Sequence, residues 1–414
     1  MIGLYRAVSR LAAPALRLML ARRRARGKEL PDRLPERFGI DRTPRPPGKL
    51  LWVHAASLGE TVAMLPVLAG LPPTITVLIT TGTVTSARLL EARMADLPGT
   101  ALHRFVPLDV PAWVARFLDH WRPDAAAFVE SEIWPNLLLA CQARAIPLAL
   151  INARLSPRSA RRWSFAPATA RRLFAGFALI IARAPDDAAR LAALGAPAPL
   201  MIGNLKYAAP PLPYAEPELS RLTTLLAGRP AWLAASTHPG EDTLLLEAHR
   251  RLAATFPALL TIIVPRHPER GVAMAALMNA PRRSLGQDPP PGPGIWLADT
   301  MGELGLFYRL APIVFVGKSL GAAGGQNPLE PARLGAAVCI GPEIANFADI
   351  VPPLIAAGAL RQVPDLPGLV AFITDMLTHP TQRDAMGTAG QAAASSLADL
   401  PQRVADTLTS MLVP

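Results

Sequence analysis

Leu51-Trp-Val-His-Ala-Ala-Ser-Leu-Gly-Glu60 runs from an apolar stretch through a turn of small residues to a carboxylate. Short apolar runs bounded by such turns are the mark of buried strands in parallel sheets. The spacing predicts a strand over residues 50–53, ending near His54, and a helix beginning around Thr61. Outward from this stretch the same grammar recurs. Residues 74–79, 125–129, 147–151 and 178–181 are apolar runs, each followed by a small or polar turn and a helical pattern. A second series occupies residues 231–235, 259–264, 294–297, 313–316 and 337–340. Alternating strand and helix units build parallel sheets, so the chain reads as α/β with two Rossmann-like domains.

A length of 414 residues exceeds one ordinary core, which agrees with two domains. The periodicity breaks in residues 203–216, where Ala-Ala-Pro-Pro-Leu-Pro interrupts it. The expected division is a segment 1–30, a first domain 31–205 and a second domain 206–414, with the last helix able to pack back on the first. Two such sheets facing a central cleft would line it with the C-terminal ends of their strands, where ligands of open α/β sheets bind. No GxGxxG or GxxxxGK[ST] fingerprint is present, which disfavours a dehydrogenase or a P-loop ATPase.

The net charge of +11 calls for an anionic partner: nucleic acid, a membrane surface or the substrate itself. Aromatic residues make up only 6% and do not interleave with basic runs, which argues against nucleic acid. Cys141 and Cys339 each lie in an apolar stretch, as reduced core thiols do, and give no disulfide framework. The seven histidines are dispersed without metal-ligand spacing, so no metal and no cofactor is expected.

Residues 1–30 hold no apolar run long enough to span a bilayer, because Arg6, Arg10 and Arg17 intrude. On a helix at about 100° per residue these arginines fall within about 40° of one another. Leu4, Tyr5, Val8, Leu11, Ala15, Leu18 and Met19 take the opposite side, and Arg22, Arg23, Arg24 and Arg26 follow. That pattern describes a helix lying in an anionic headgroup region, kinked at Pro14. An amphipathic helix packed on the protein's own core is the other reading. A cleaved signal peptide fits poorly, since charges break its apolar region.

The turns after the strands carry the polar residues. Glu60 stands at a strand-to-helix corner, where a carboxylate could take a proton from an acceptor hydroxyl. Ser57-x-x-Glu60 is equally a capping box, in which Glu60 closes its own helix. In Phe128-Val-Glu-Ser-Glu-Ile-Trp-Pro-Asn136, Glu130 and Glu132 are expected to point apart, with Glu130 toward the site. Lys206 could hold an anion. In Ala234-Ala-Ser-Thr-His-Pro-Gly-Glu-Asp242, the hydroxyls of Ser236 and Thr237 and free N–H groups suit a phosphate, or merely cap a helix. Arg266 and His267 lie just past a strand between two prolines, a pair suited to phosphate or carboxylate. Asp299-Thr-Met-Gly-Glu-Leu304 is a turn into a helix. Gly324 and Gly325 would let backbone approach a ligand closely, and Glu330 could grip ribose hydroxyls.

These stretches together resemble the 3-deoxy-D-manno-octulosonic acid (Kdo) transferases of lipopolysaccharide core synthesis. The blocks HAASLGE, ESEIWPNLL, NARLSPRS, GNLKY, AASTHPGED, VPRHPER, MGEL and GGQNPLEP occur in the family's order across nearly the whole chain. The resemblance implies a GT-B fold, CMP-Kdo as donor, a tetra-acylated disaccharide lipid A precursor as acceptor, and inversion at the anomeric centre. It also implies an N-terminal membrane-associating helix at the cytoplasmic face of the inner membrane. By the same resemblance Glu60 is the base, and Glu130 and Lys206 support the transition state. Pro265, Arg266, His267, Gly302, Glu303, Leu304, Asn327, Pro328, Leu329 and Glu330 match CMP-binding positions. Pro239 and Gln326 depart from the family's usual residues, which puts the detail of the first turn in doubt. The competing expectations are another GT-B transferase, a nucleotide-sugar epimerase, or a non-catalytic membrane-peripheral nucleotide-sugar-binding protein.

Overall fold

The computed structural model describes residues 1–208, 211–321 and 323–412. Ala209, Pro210, Ala322, Val413 and Pro414 fall in the sequence break, the glycine-rich stretch and the C-terminus, and lie outside the described residues. The chain divides into two compact units, Met1–Ala209 with Ala398–Pro414, and Pro210–Leu397.

The first unit holds seven parallel strands: β1 Leu50–His54, β2 Thr76–Thr81, β3 Ala101–Phe105, β4 Ala125–Val129, β5 Leu148–Ala153, β6 Leu179–Ala182 and β7 Leu200–Met201. Their order is β3-β2-β1-β4-β5-β6-β7. Helices cover the sheet, and its core is built on Trp52, Trp121, Phe128 and Phe174, all fully buried. Each such ring contributes about 1.5–3 kcal/mol by leaving water. The indole N–H of Trp52 donates to the Thr80 hydroxyl at 2.8 Å, so its burial leaves no orphan donor.

The second unit holds six parallel strands: β8 Ala231–Thr237, β9 Leu260–Pro265, β10 Gly294–Leu297, β11 Ile313–Val316, β12 Ala337–Ile340 and β13 Leu360–Gln362. Their order is β10-β9-β8-β11-β12-β13. Three strands escape the apolar-run reading: β3, β7 and β13. Two of them, β7 and β13, are short and largely exposed, and β3 alternates in burial. All three sit at or near a sheet edge, where one side needs no apolar cover.

The N-terminal segment forms two helices, Ile2–Leu11 and Ala13–Ala25, which meet at Ala12 with Pro14 in the first turn of the second. One side docks on the first unit through polar contacts. The Tyr5 hydroxyl donates to Asp109 at 2.9 Å, and the Asn136 amide donates to Ser9 at 3.0 Å. Tyr5 therefore belongs in part to the docking side, not wholly to the apolar stripe. The stripe itself stays in the open, with Leu4 69%, Val8 55%, Leu11 82% and Leu18 54% exposed. Packing on the protein's own core accounts for Leu20 but not for these four. No helix among the described residues is long and apolar enough to cross a membrane. At the other terminus, the helix Leu400–Ser410 packs on the helix Leu58–Ala69 of the same unit. The Gln402 amide reaches the Gly70 carbonyl at 3.2 Å.

In the second unit a fully buried carboxylate joins the ends of β8 and β11. Glu241 accepts from the backbone N–H groups of His238 (2.8 Å), Lys318 (2.9 Å), Ser319 (3.0 Å) and Leu320 (3.2 Å). Bonds from a charged acceptor offset its desolvation, and four of them leave two turns little freedom. Glu241→Gln keeps the shape but swaps one acceptor for a donor aimed at N–H groups. The expected loss is about 2–4 kcal/mol, read as faster amide exchange over residues 318–320 and a lower melting temperature. Wild-type protection in that variant would mean that the turns hold themselves.

Candidate active site

In the first unit the order of strands reverses between β1 and β4, and the predicted residues gather at that point. The helix after β1 starts at Leu58, three residues before the expected start, because Ser57 caps it. Glu60 completes the capping box. Its Oε1 accepts from the Ser57 hydroxyl at 2.7 Å and its Oε2 from the Ala56 N–H at 2.8 Å. The Glu60 N–H donates back to Ser57 at 3.4 Å. Burial pushes the Glu60 carboxyl above the ordinary glutamate range. The two hydrogen bonds pull it down, and the negative charges of Glu132 and Glu130 push it up further.

Both acidic neighbours act on Glu60 through their charge, while each carboxylate is held by partners of its own. Glu130 has φ +58°, left-handed geometry that turns the chain sharply after β4. Its N–H bonds the Ile151 carbonyl at 2.9 Å and its carbonyl accepts from Arg154 at 3.2 Å. The Glu130 carboxylate pairs with Lys206 at 2.5 Å. Lys206 is placed in turn by Asn152, whose side-chain oxygen accepts from the Leu205 N–H at 3.1 Å. Glu132 faces the buried His54 ring at 3.4 Å and accepts from the Trp134 indole at 2.5 Å. His54 and Asn152 were not singled out from sequence, since nothing distinguishes either from a core residue until the turns are folded.

In the second unit the order reverses between β8 and β11, beside a cavity of about 360 Å³. Ser236, Arg266, Gly302, Leu304, Asn327 and Glu330 line it, as do Leu212, Pro213, Gly305, Tyr308 and Gln326. Burial raises the proton affinity of Glu330, and its oxygen accepts from the Asn327 amide at 3.2 Å. The helix Leu304–Leu310 packs directly on the chain before β8. A Cβ on Gly305 would stand 2.4 Å from the Pro213 carbonyl, so only glycine permits this approach. Arg309 closes the same wall by donating to the Leu212 carbonyl at 3.0 Å.

Other predicted residues stand beside the cavity in different roles. Thr237 is fully buried, and the neighbouring His238 N–H is already taken by Glu241. The turn is therefore less open to a phosphate than its hydroxyls suggest. Pro265 is buried at the end of β9, and His267 is exposed with its ring 5.7 Å from that of His238. The Glu303 carboxylate is held by Arg283 at 2.7 Å and by the Thr300 hydroxyl, so its side chain orders the turn. Pro328 and Leu329 are buried at the start of the helix Leu329–Arg333. Leu212, Pro213 and Tyr308 carried no sequence signal of their own.

A model of the 3-Deoxy-D-manno-octulosonic-acid transferase (kdotransferase) family matches residues 32–209. The 3-deoxy-D-manno-octulosonic acid transferase of Bordetella pertussis is 35% identical, over 99% of this chain and 99% of that one. The transferase of the same name from Haemophilus influenzae is 35% identical over 92% and 91% of the two chains. Among solved structures, a glycosyltransferase from Rickettsia africae superposes with a TM-score of 0.61 at 12% identity, covering 89% of this chain and 100% of its own. That likeness speaks for the fold alone, which is α/β with two Rossmann-like units of GT-B type. On the two full-length relatives, the chain belongs to the 3-deoxy-D-manno-octulosonic acid (Kdo) transferase family and is a glycosyltransferase.

Proposed function

We propose that the chain is an inverting transferase that moves Kdo from CMP-Kdo to a sugar hydroxyl of the tetra-acylated disaccharide lipid A precursor (lipid IVA). The observation that carries this reading is Glu60, a fixed carboxyl of raised proton affinity beside the Glu130–Lys206 pair, in a member of this family. Glu60 takes the acceptor hydroxyl's proton as that oxygen forms its bond to the anomeric carbon. The bond from that carbon to the phosphate oxygen breaks on the opposite face, and CMP leaves with the electron pair. Arg266 and His267 offset the growing charge on the phosphate, and Lys206 stands by the reacting carboxylates. The donor carries its own leaving group, so the reaction as proposed draws on no cofactor.

The same reading places the protein at the cytoplasmic face of the inner membrane. The open stripe Leu4, Val8, Leu11 and Leu18 would enter the acyl boundary, with the arginines on anionic headgroups. A net charge of +11 suits a membrane, a donor and an acceptor that are all anionic.

Glu60→Gln is expected to keep its fold and its affinity for CMP but to lose transfer by about 10²–10⁴-fold, assayed with CMP-Kdo and the lipid acceptor. Near-normal turnover by that variant would remove Glu60 as the base. A second expectation concerns pH. The base works ionised, so transfer falls as pH drops through its pKa, and the acid limb of kcat/KM lies above the ordinary value of 4.5. Glu132→Gln removes one neighbouring negative charge and should move that limb toward lower pH; a limb that stays put belongs to another group. For the membrane, Leu11→Asp with Leu18→Asp should cut co-sedimentation with phosphatidylglycerol vesicles by about tenfold or more. Undiminished co-sedimentation would mean that the stripe is not the contact.

A further inference from the structure

Past Gln326, the cavity of the second unit leads to His238 and, beside it, Lys318. The Gln326 amide nitrogen lies 3.0 Å from the His238 ring nitrogen. The backbone N–H groups of His238 and Lys318 donate to the same oxygen of Glu241, at 2.8 and 2.9 Å, so the two residues stand side by side. Ser236 and Lys318, at the ends of β8 and β11, both adopt left-handed backbone geometry, with φ +55° and +60°. Non-glycine residues hold that geometry at a cost of about 1–3 kcal/mol, and they gather where a ligand is gripped.

The charges are unequally matched. Arg270 is paired with Asp242, and His267 approaches Glu269 at 3.7 Å. Among the described residues, neither Arg266 nor Lys318 takes part in an ion pair. Burial, then the positive charge of Lys318 and its neighbours, lowers the proton affinity of His238. Its ring is therefore neutral at neutral pH and offers a hydrogen bond without adding charge.

We propose that Lys318, Gln326 and His238 form a second anion subsite, which takes the carboxylate of the donor's sugar while Arg266 and His267 take the phosphate. This rests on the chain's using CMP-Kdo. Such a donor presents two anions on one reacting carbon, the phosphate that leaves and the carboxylate that stays. Held together, they repel each other, and the repulsion grows as the phosphate gains charge. The ammonium of Lys318 offsets the carboxylate, and the Gln326 amide and the His238 ring orient it. Glu241 fixes both turns beforehand, so little ordering is left to binding. A CMP sugar without a carboxylate would leave the Lys318 charge unmatched and bind less well.

CMP lacks the sugar, so donor KM and the inhibition constant of CMP separate the two subsites on the full-length enzyme. For Lys318→Gln, KM for CMP-Kdo is expected to rise about tenfold or more while the CMP constant stays within about twofold. That unchanged constant also reports a folded second unit. Lys318→Arg should recover most of the donor KM. A parallel rise in both constants would place Lys318 on the phosphate and overturn the proposal, as would an unchanged KM. Failure of the wild-type enzyme to turn over CMP-Kdo would instead sink the proposed function. Calorimetric titration of CMP-Kdo against CMP into wild type and Lys318→Gln would still decide the subsite.

Discussion

Because every strand in each sheet runs the same way, all the strand ends that lead into helices lie along one edge. Where the order turns back, successive helices leave on opposite faces and their first turns part. This constraint puts the chemistry of each unit where it is. In the first unit Glu60 leaves β1, Glu130 leaves β4 and Asn152 ends β5, and the three come together only through the topology. In the second, Ser236 leaves β8, Arg266 β9, Gly302 β10 and Lys318 β11. No local feature of the sequence would join residues so far apart along the chain.

The backbone records the same constraint. Among the described residues, eight non-glycine residues have positive φ. Arg122, Ala227 and Asn279 cap helix C-termini, and Ala145 follows the helix Pro135–Gln142, which is how helices commonly stop. The other four lie at strand ends: Glu130, Ser236 and Lys318 at those flanking the reversals, and Asn152 on β5, one strand further out. Strain at these places needs support, and it has it: Glu130 through Ile151 and Arg154, and Lys318 through Glu241. Rigid turns make the polar groups they carry available without prior ordering.

Much of this was legible beforehand, for a definable reason. A buried parallel strand must be apolar on both faces, so ten of the strands announce themselves as apolar runs. Edge strands such as β13, with Arg361 and Gln362 exposed, meet no such demand and leave no trace. Glu60 and Glu130 were legible as acids at strand ends and Lys206 as a lysine closing the first half, and the structure brings them together. Glu241 was not, because an acid at a helix start reads as a dipole partner. Its true role, as acceptor for four N–H groups from two distant turns, exists only in the fold. That the His238 N–H beside Thr237 is already taken follows directly from that. Leu212 and Pro213 were illegible for a third reason: a wall made of carbonyls has no residue signature, except the Gly305 that packs on it.

Capping and the proposed proton transfer are compatible roles for Glu60. Each carboxylate oxygen accepts one hydrogen bond here and can accept two, so an incoming hydroxyl still finds a free lone pair. The two oxygens differ in what happens after a proton arrives. Oε2 faces the Ala56 N–H, which can only donate, so a proton on Oε2 would weaken that bond. Oε1 faces the Ser57 hydroxyl, which is both donor and acceptor and can rotate from one to the other. A proton bound at Oε1 therefore keeps every partner satisfied, with Ser57 turning to accept it. In the proposed reaction the cap would serve the base: Ala56 fixes the carboxylate in place, and Ser57 yields when the proton comes.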